Sequence, residues 1–338
     1  MALRHFYLRT IRDFLLIAIA AILQFSCTSP AEHGNPLDPE SSAFSEVATI
    51  SGTVTTYYQP FRPLENVEVR LLPGPQLALT NGQGEFLFSN LAAGDYQIFV
   101  ARAGYAADTL SVKTLQRQTV AVAMRLNGMP QVDSVKIITA RVDSQADSSV
   151  FFLEATAFAS DSDGVSDLKR VTLIARDFAF TDTLTLVDRN GIWQRRFEQD
   201  ELPGAALLAW LGHPVQIQVE DFLRQQNTAG PFFISRVVEE VPEPIAPIDS
   251  VVTRSPLRFI WKSKPVVYPY TQDVEIFRLV AGFPSFFAAI RKIESSANNA
   301  VFPGGVLPPA GNYFWTVKLV DEFGNWSRSK EAAFRIER

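Results

Sequence analysis

At 338 residues the chain exceeds one ordinary β-sandwich and has room for two to four compact domains of roughly 100–150 residues each. Hydrophobic residues at 47% and charged residues at 20% exclude a disordered chain, and 26 phenylalanines and 21 prolines against 3 methionines favour strands and turns. Of 31 basic and 36 acidic residues, the first 26 positions hold three and one, so the remainder carries 28 against 35, a net charge of −7 that excludes nucleic acid as a partner.

Arg4, Arg9 and Arg12 precede a ten-residue apolar run from Phe14 to Leu23, with Ser26 before Cys27. That order is a secretory signal over residues 1–26, and ten residues fall short of the roughly 20 a membrane-spanning helix needs. Cys27 is the only cysteine, so no internal disulfide can form, and an exported chain with one unpaired thiol is best explained if that thiol is acylated. Residues 27–46, rich in Pro, Ser, Glu and Asp, form a flexible tether with an end-to-end distance on the order of 25 Å. The segment Leu23-Gln24-Phe25-Ser26-Cys27 resembles a bacterial lipobox, with Leu23 one place further from the cysteine than usual and a bulky Phe25. The resemblance implies a lipid anchor at Cys27 and, with Thr28 rather than aspartate next, an outer-membrane location. The Asn35-Pro36-Leu37-Asp38-Pro39 phrase resembles one found just after the lipidated cysteine of surface lipoproteins.

A first module is expected over residues 47–127. Ile50 to Val54 and Val67 to Leu71 alternate as strands. Thr80-Asn81-Gly82-Gln83-Gly84-Glu85-Phe86 predicts a tight hairpin with both glycines at positive φ, followed by a strand with Phe86 and Phe88 on one side. Leu91 to Tyr96 turns again and Gln97 to Ala101 is a further strand. Together, GTV, NVEVRL and TNGQGEFLFSNLAAGDYQIFVARAGY resemble the carboxypeptidase regulatory-like domain, a seven-stranded transthyretin-type sandwich. The resemblance covers about a quarter of the chain and implies a module with no catalytic residues of its own.

A second module, residues 130–240, is expected from strands at Val135–Thr139, Val150–Phe158, Leu168–Ala175, Asp182–Val187 and Val215–Val219, an Ig-like spacing. Glu201 to Trp210 reads as a short helix or a packed loop. Val241 to Pro247, with three prolines, predicts a stiff linker. Beyond it, Leu257 to Trp261, Ala310 to Val317 and Asp321 to Ser327 resemble a fibronectin type III-like domain over residues 245–338, with Leu307 and Tyr313 placed as in a tyrosine corner. Gln218-Val219-Glu220-Asp221 before a polar turn echoes the end of the third module, which makes the two modules candidate repeats. The fold class expected is therefore all-β: tandem β-sandwiches after a signal and tether.

Candidate chemistry is sparse. His5 and His33 lie in the signal and tether, leaving His213 as the single histidine of a folded module, read as a loop residue before Pro214. That excludes zinc sites of the N/S type and Cys/His nucleophilic pairs. Asp161, Asp163 and Asp167, in the run DSDGVSD, are the candidate calcium ligands, since hard cations take several oxygens from a short turn; the spacing is not that of an EF-hand, and the alternative is a plain polar turn. Trp193, Trp210 and Trp326, with the Phe283/Phe286/Phe287 group, are the candidate platform for a sugar, against the alternative that they are core; Trp261 and Trp315 are assigned to core. The expected function is a non-catalytic cell-envelope lipoprotein that spaces, adheres or scaffolds, with the membrane and an envelope protein or polysaccharide as partners. The alternative is a carbohydrate-binding accessory lipoprotein of a glycan-uptake system.

Overall fold

A computed structural model describes residues 41, 47–146, 149–204 and 206–337. The signal segment, Cys27 and, apart from Ser41, the tether lie outside the described residues. Among those described, the regular elements are strands and short 3₁₀ turns, and most of the buried apolar residues fall into three clusters, one to each module.

The first module holds β1 (Ala48–Thr56), β2 (Glu68–Leu72), β3 (Gln76–Leu79), β4 (Glu85–Leu91), β5 (Gly94–Ala101), β6 (Asp108–Thr114) and β7 (Thr119–Leu126). One sheet runs β4-β1-β7 and the other β3-β2-β5-β6. Strict alternation along β1 turns Ile50 and Val54 inward against Val69, Leu71, Ile98 and Val100 of the facing sheet, each burial stabilising by roughly 1.5–3 kcal/mol. Phe86 and Phe88 are both buried, as their spacing predicts, with ring centroids 5.8 Å apart. The stretch between β3 and β4 corrects the expected hairpin. β3 pairs with β2 while β4 pairs with β1, so the turn carries the chain from one sheet to the other. Of its two glycines only Gly84 has positive φ, +73°, where a Cβ would also press on the Val54 carbonyl. Asn81 supplies the rest of the turn, its Oδ1 accepting from the amides of Gln83 (3.0 Å) and Glu85 (2.9 Å).

The second module holds β8 (Gln131–Val142), β9 (Val150–Ser160), β10 (Leu168–Ala175), β11 (Phe180–Leu186), β12 (Ile192–Glu198), β13 (Pro214–Asp221) and β14 (Gln226–Phe233), in the order β14-β13-β10-β11-β12-β9-β8. β11 makes the corner, pairing with β10 over Phe180–Leu184 and with β12 at Thr185 and Leu186. The sequence reading lacks β12 and β14. In β12 a half-exposed Arg195, paired with Asp182 and lying over the Phe197 ring, interrupts the apolar face of Trp193 and Phe197; β14 is an edge strand with no fully buried residue and Gly230-Pro231 in its run. Glu201 to Trp210 is a packed loop carrying 3₁₀ turns at Gln199–Glu201 and Leu207–Trp210.

The third module holds β15 (Glu243–Ala246), β16 (Ser250–Val252), β17 (Arg258–Lys262), β18 (Tyr270–Val280), β19 (Phe283–Glu294), β20 (Asn299–Val301), β21 (Gly311–Asp321), β22 (Trp326–Arg328) and β23 (Ala332–Ile336). One sheet runs β15-β17-β20; the other runs β22-β21-β18-β19, with β23 also on β21 and β16 on β23. Trp261 and Trp315 are buried between them. Tyr313 Oη donates to the Pro309 carbonyl at 2.8 Å, the corner bond its sequence position predicts. The proline-rich stretch is not only a linker: Glu243–Ala246 is an edge strand on β17, where a proline's missing N–H faces away from the ladder.

Modules two and three share a sheet. β22 pairs in parallel with β8, Trp326 opposite Ala140 and Arg328 opposite Val142, so hydrogen bonding runs from β14 through to β19.

Candidate functional site

The two junctions between modules gather the polar residues that the sheets leave unused. At the first, between modules one and two, the turn after β9 brings Asp161 and Asp163 beside Asp167, which closes a 3₁₀ turn at Val165–Asp167. One carboxylate oxygen from each of the three lies within 4.8 Å of the others. The first module closes over them. Tyr58, from the loop after β1, donates its hydroxyl to Asp167 Oδ1 at 2.8 Å, from 109 residues away. Asn127, at the end of β7, donates Nδ2 to Asp221 Oδ2 at 2.6 Å, and the Gly128 amide donates to Asp163 Oδ2 at 2.6 Å. A Cβ on Gly128 would collide with Asp161 Oδ1 and the Asp163 amide, so the close approach of the two modules requires glycine there.

Hydrogen bonding does not use up the oxygens so assembled. Asp161 Oδ2, Asp167 Oδ2 and Asn127 Oδ1 are buried without a partner. Asp167 and Asn127 are 5% and 7% exposed, so water cannot readily screen them. Among the described residues no lysine or arginine pairs with Asp161, Asp163, Asp167 or Asp221; Lys169 and Arg170 pair instead with the neighbouring Glu220. The bond from Lys169, then those from Arg170 and Gln226, hold the Glu220 carboxyl down at about 2. The cluster behaves in the opposite sense. Burial pushes Asp161 up to about 6, against the amide bond from Asp163 and helped by the charges of Asp167, Asp163 and Asp221. Burial likewise raises Asp167, and burial followed by the bond to Asp167 raises Tyr58.

The second junction solves the same problem with a cation of its own. Asp321 closes the turn after β21, its Oδ1 accepting from the Phe323 and Asn325 amides. Its Oδ2 takes the Arg236 guanidinium at 2.9 Å and Asn325 Nδ2 at 3.0 Å. Asn325 Oδ1 accepts the Thr139 amide at 2.9 Å, Thr139 Oγ1 donates to the Arg236 carbonyl at 2.7 Å, and Ser327 Oγ donates to the Glu240 carbonyl.

The tryptophans proposed as a sugar platform are elsewhere and occupied. Trp210 is fully buried, stacked on Phe178 at 4.4 Å, its Nε1 donating to the Pro203 carbonyl. Trp193 is 6% exposed in the second core. Trp326 is half-buried at the second junction, edge-on to Phe152 at 5.7 Å with the Lys318 ammonium over its ring. A small sandwich gains more by burying such rings than by displaying them. Phe283 and Phe286 stay exposed, whereas Phe287 packs against Tyr313 and Phe302. His213 lies in the loop before β13, its Nδ1 2.8 Å from Asp177 Oδ2. Asp221, Asn127 and Tyr58 belong to the acidic site and escape the sequence reading. The usable signals were Asn127-Gly128 at the module boundary and the likeness of the turn after Asp221 to that after Asp321.

By its architecture the chain is an all-β protein of tandem sandwiches. Residues 49–127 match the family model of the carboxypeptidase regulatory-like domain, so the first module is such a domain. No curated protein matches the chain at significance. Solved structures that it resembles include the fibronectin FN1–FN3 domains of chicken CNTN1, at 10% identity over 82% of this chain and 92% of that one, TM-score 0.33. The fibronectin(III)-like modules of Clostridium thermocellum CbhA match at 11% identity over 62% and 93%, TM-score 0.29. A type II cohesin–X-dockerin complex of Acetivibrio cellulolyticus matches at 18% identity over 24% of this chain, which spans 58% of the length of that one, TM-score 0.22.

Proposed function

We propose that the chain is a non-catalytic lipoprotein of the cell envelope, acylated at Cys27, whose modules form a stiff spacer that holds a binding surface away from the bilayer, at the outer membrane. The observation that carries this reading is the build of the junctions. A spacer has to resist bending between its modules, and both junctions are hydrogen-bonded through buried side chains, the second also through a shared sheet. Interfaces between freely moving domains are looser and wetter.

The partner reading is an envelope protein or a polysaccharide. On the outer face of the third module Phe277 stacks on Phe314 at 4.9 Å, and the exposed Phe286 adds its edge at 5.8 Å. Exposed aromatic groupings of this kind favour a binding surface over plain solvent contact. The carbohydrate-binding alternative rests on the same rings.

Three measurements test the reading. Metabolic labelling with a palmitate analogue is expected to mark the protein in the membrane fraction, and incorporation that survives Cys27→Ser would remove the anchor. Binding on a glycan array that is lost in Phe286→Ala favours the sugar; a blank array with a discrete cross-linked envelope protein favours the scaffold. A hydrolase or transferase activity of the purified chain, lost on a point substitution, would overturn the non-catalytic reading.

A further inference from the structure

We propose that the junction between the first and second modules is a calcium site, one ion bound by the carboxylates of Asp161, Asp163 and Asp167 with Asp221 and the Asn127 carbonyl oxygen completing the shell. Three carboxylates converge, with Asp221 joined to them through Asn127, where among the described residues no lysine or arginine pairs with any of the four. Independently of that count, Asn127 and Asp167, both more than nine-tenths buried, each present an oxygen with no hydrogen-bond partner. Asn127 sits among the acids: its Nδ2 meets Asp221, and the amide of the next residue meets Asp163. Buried polar atoms are almost always paired, and an orphaned group of them at one place marks a missing partner. Three orphaned oxygens among acids ask for a positive one.

The protein supplies its own control. Asp221 and Asp321 close equivalent turns: each accepts at Oδ1 the amide of the residue four ahead, and each aspartate's own amide donates to the carbonyl of that residue. Both lie at a module junction, and both accept a side-chain amide on Oδ2. At the second junction the Arg236 guanidinium also lies on Oδ2; at the first that role has no residue. The donor set is all oxygen, carboxylate and amide, from loops able to adjust to six to eight ligands, which suits calcium. Magnesium keeps its waters and a strict octahedron, and zinc takes nitrogen and sulfur.

The ion ties the two modules, since Asn127 comes from the first and the four aspartates from the second, with Tyr58 of the first holding Asp167 in place. The test uses the full chain purified in detergent, stripped with EGTA and titrated with CaCl2 at pH 7.5 in 0.1 M KCl. One saturable calcium per chain is expected, with a Kd of about 10⁻⁴ M or tighter, a melting temperature several degrees higher in calcium than in EGTA, and little response to equal magnesium. Asp161→Asn and Asp163→Asn are each expected to weaken binding at least tenfold. The same variants should melt no lower than the parent in EGTA, because they remove like-charge repulsion; a substitution that merely damaged the fold would lower both curves. Absence of saturable binding by the parent chain, with identical melting in calcium and EGTA, would overturn the site and leave the cluster held by protons. So would calcium affinity unchanged in the Asp161→Asn/Asp163→Asn double variant.

Discussion

The two junctions of this molecule use one turn and two different electrostatic solutions. After β21, Asp321 is buried against Arg236, which also reaches Glu322. After β13, Asp221 is buried near three more aspartates and an asparagine, and Lys169 and Arg170 pair with Glu220. The second junction is therefore complete in the polypeptide and the first is complete only with something added. A buried carboxylate without a counter-charge is costly wherever it occurs; what differs is whether the sequence provides the counter-charge or leaves it to the surroundings. That makes one joint permanent and the other conditional on the proposed ion.

The comparison can be broken most severely at Arg236. Arg236→Met keeps the length of the side chain and removes its charge, leaving Asp321 buried and unanswered; a loss of about 3–5 kcal/mol in urea unfolding is expected, largely recovered when Asp321→Asn is added. An unaffected midpoint would mean the second junction does not depend on that pair. Trp326→Ala, which takes the ring off Phe152, should cost about 2 kcal/mol and act on the second junction only, so the calcium response of the chain stays unchanged. Tyr58→Phe removes the hydroxyl from Asp167 and should cost about 1 kcal/mol, seen in calcium as a weaker and not an absent ion.

The smallest effect is a pH dependence. Hydrogen bonding from Arg236 holds the Glu322 carboxyl below its ordinary value. A depressed carboxyl stabilises the fold above its unfolded pKa, and the contribution is lost as pH falls from there through the folded value. The small difference in melting temperature between the parent and Glu322→Gln should accordingly be constant near neutrality and vanish as pH drops below the ordinary glutamate range. A difference that grew on acidification would contradict the pairing.

What the sequence makes legible follows from range. The alternation of β1, the Phe86/Phe88 pair and the corner of Tyr313 are local patterns, and each appears in the structure where the pattern puts it. The acid run Asp161 to Asp167 was visible for the same reason. Its completion was not, because Tyr58 and Asn127 reach it from the first module and Asp221 from the end of a distant strand. The glycines of the Thr80 to Phe86 turn signal a reversal but not its destination, since a turn between sheets and a hairpin need similar residues; pairing to β1 decided it. β12 hid behind Arg195, whose charge on the apolar face is tolerated through Asp182. The tryptophans misled as a platform because Trp193 stands on β12, which the sequence reading lacks, and Trp210 in a packed loop with no period, so neither showed which way it faces.

The measurement that bears most directly on the account is the distance between modules with the ion present and removed. Spin labels at the exposed positions Leu87, Leu186 and Val280, in a Cys27→Ser background, give one pair across each junction by pulsed electron resonance. The account predicts a narrow 186–280 distribution in both calcium and EGTA, and an 87–186 distribution that is narrow in calcium and broad in EGTA. An 87–186 distribution indifferent to calcium, or a 186–280 distribution as broad as it, would contradict the claim that the two joints are closed by different charges.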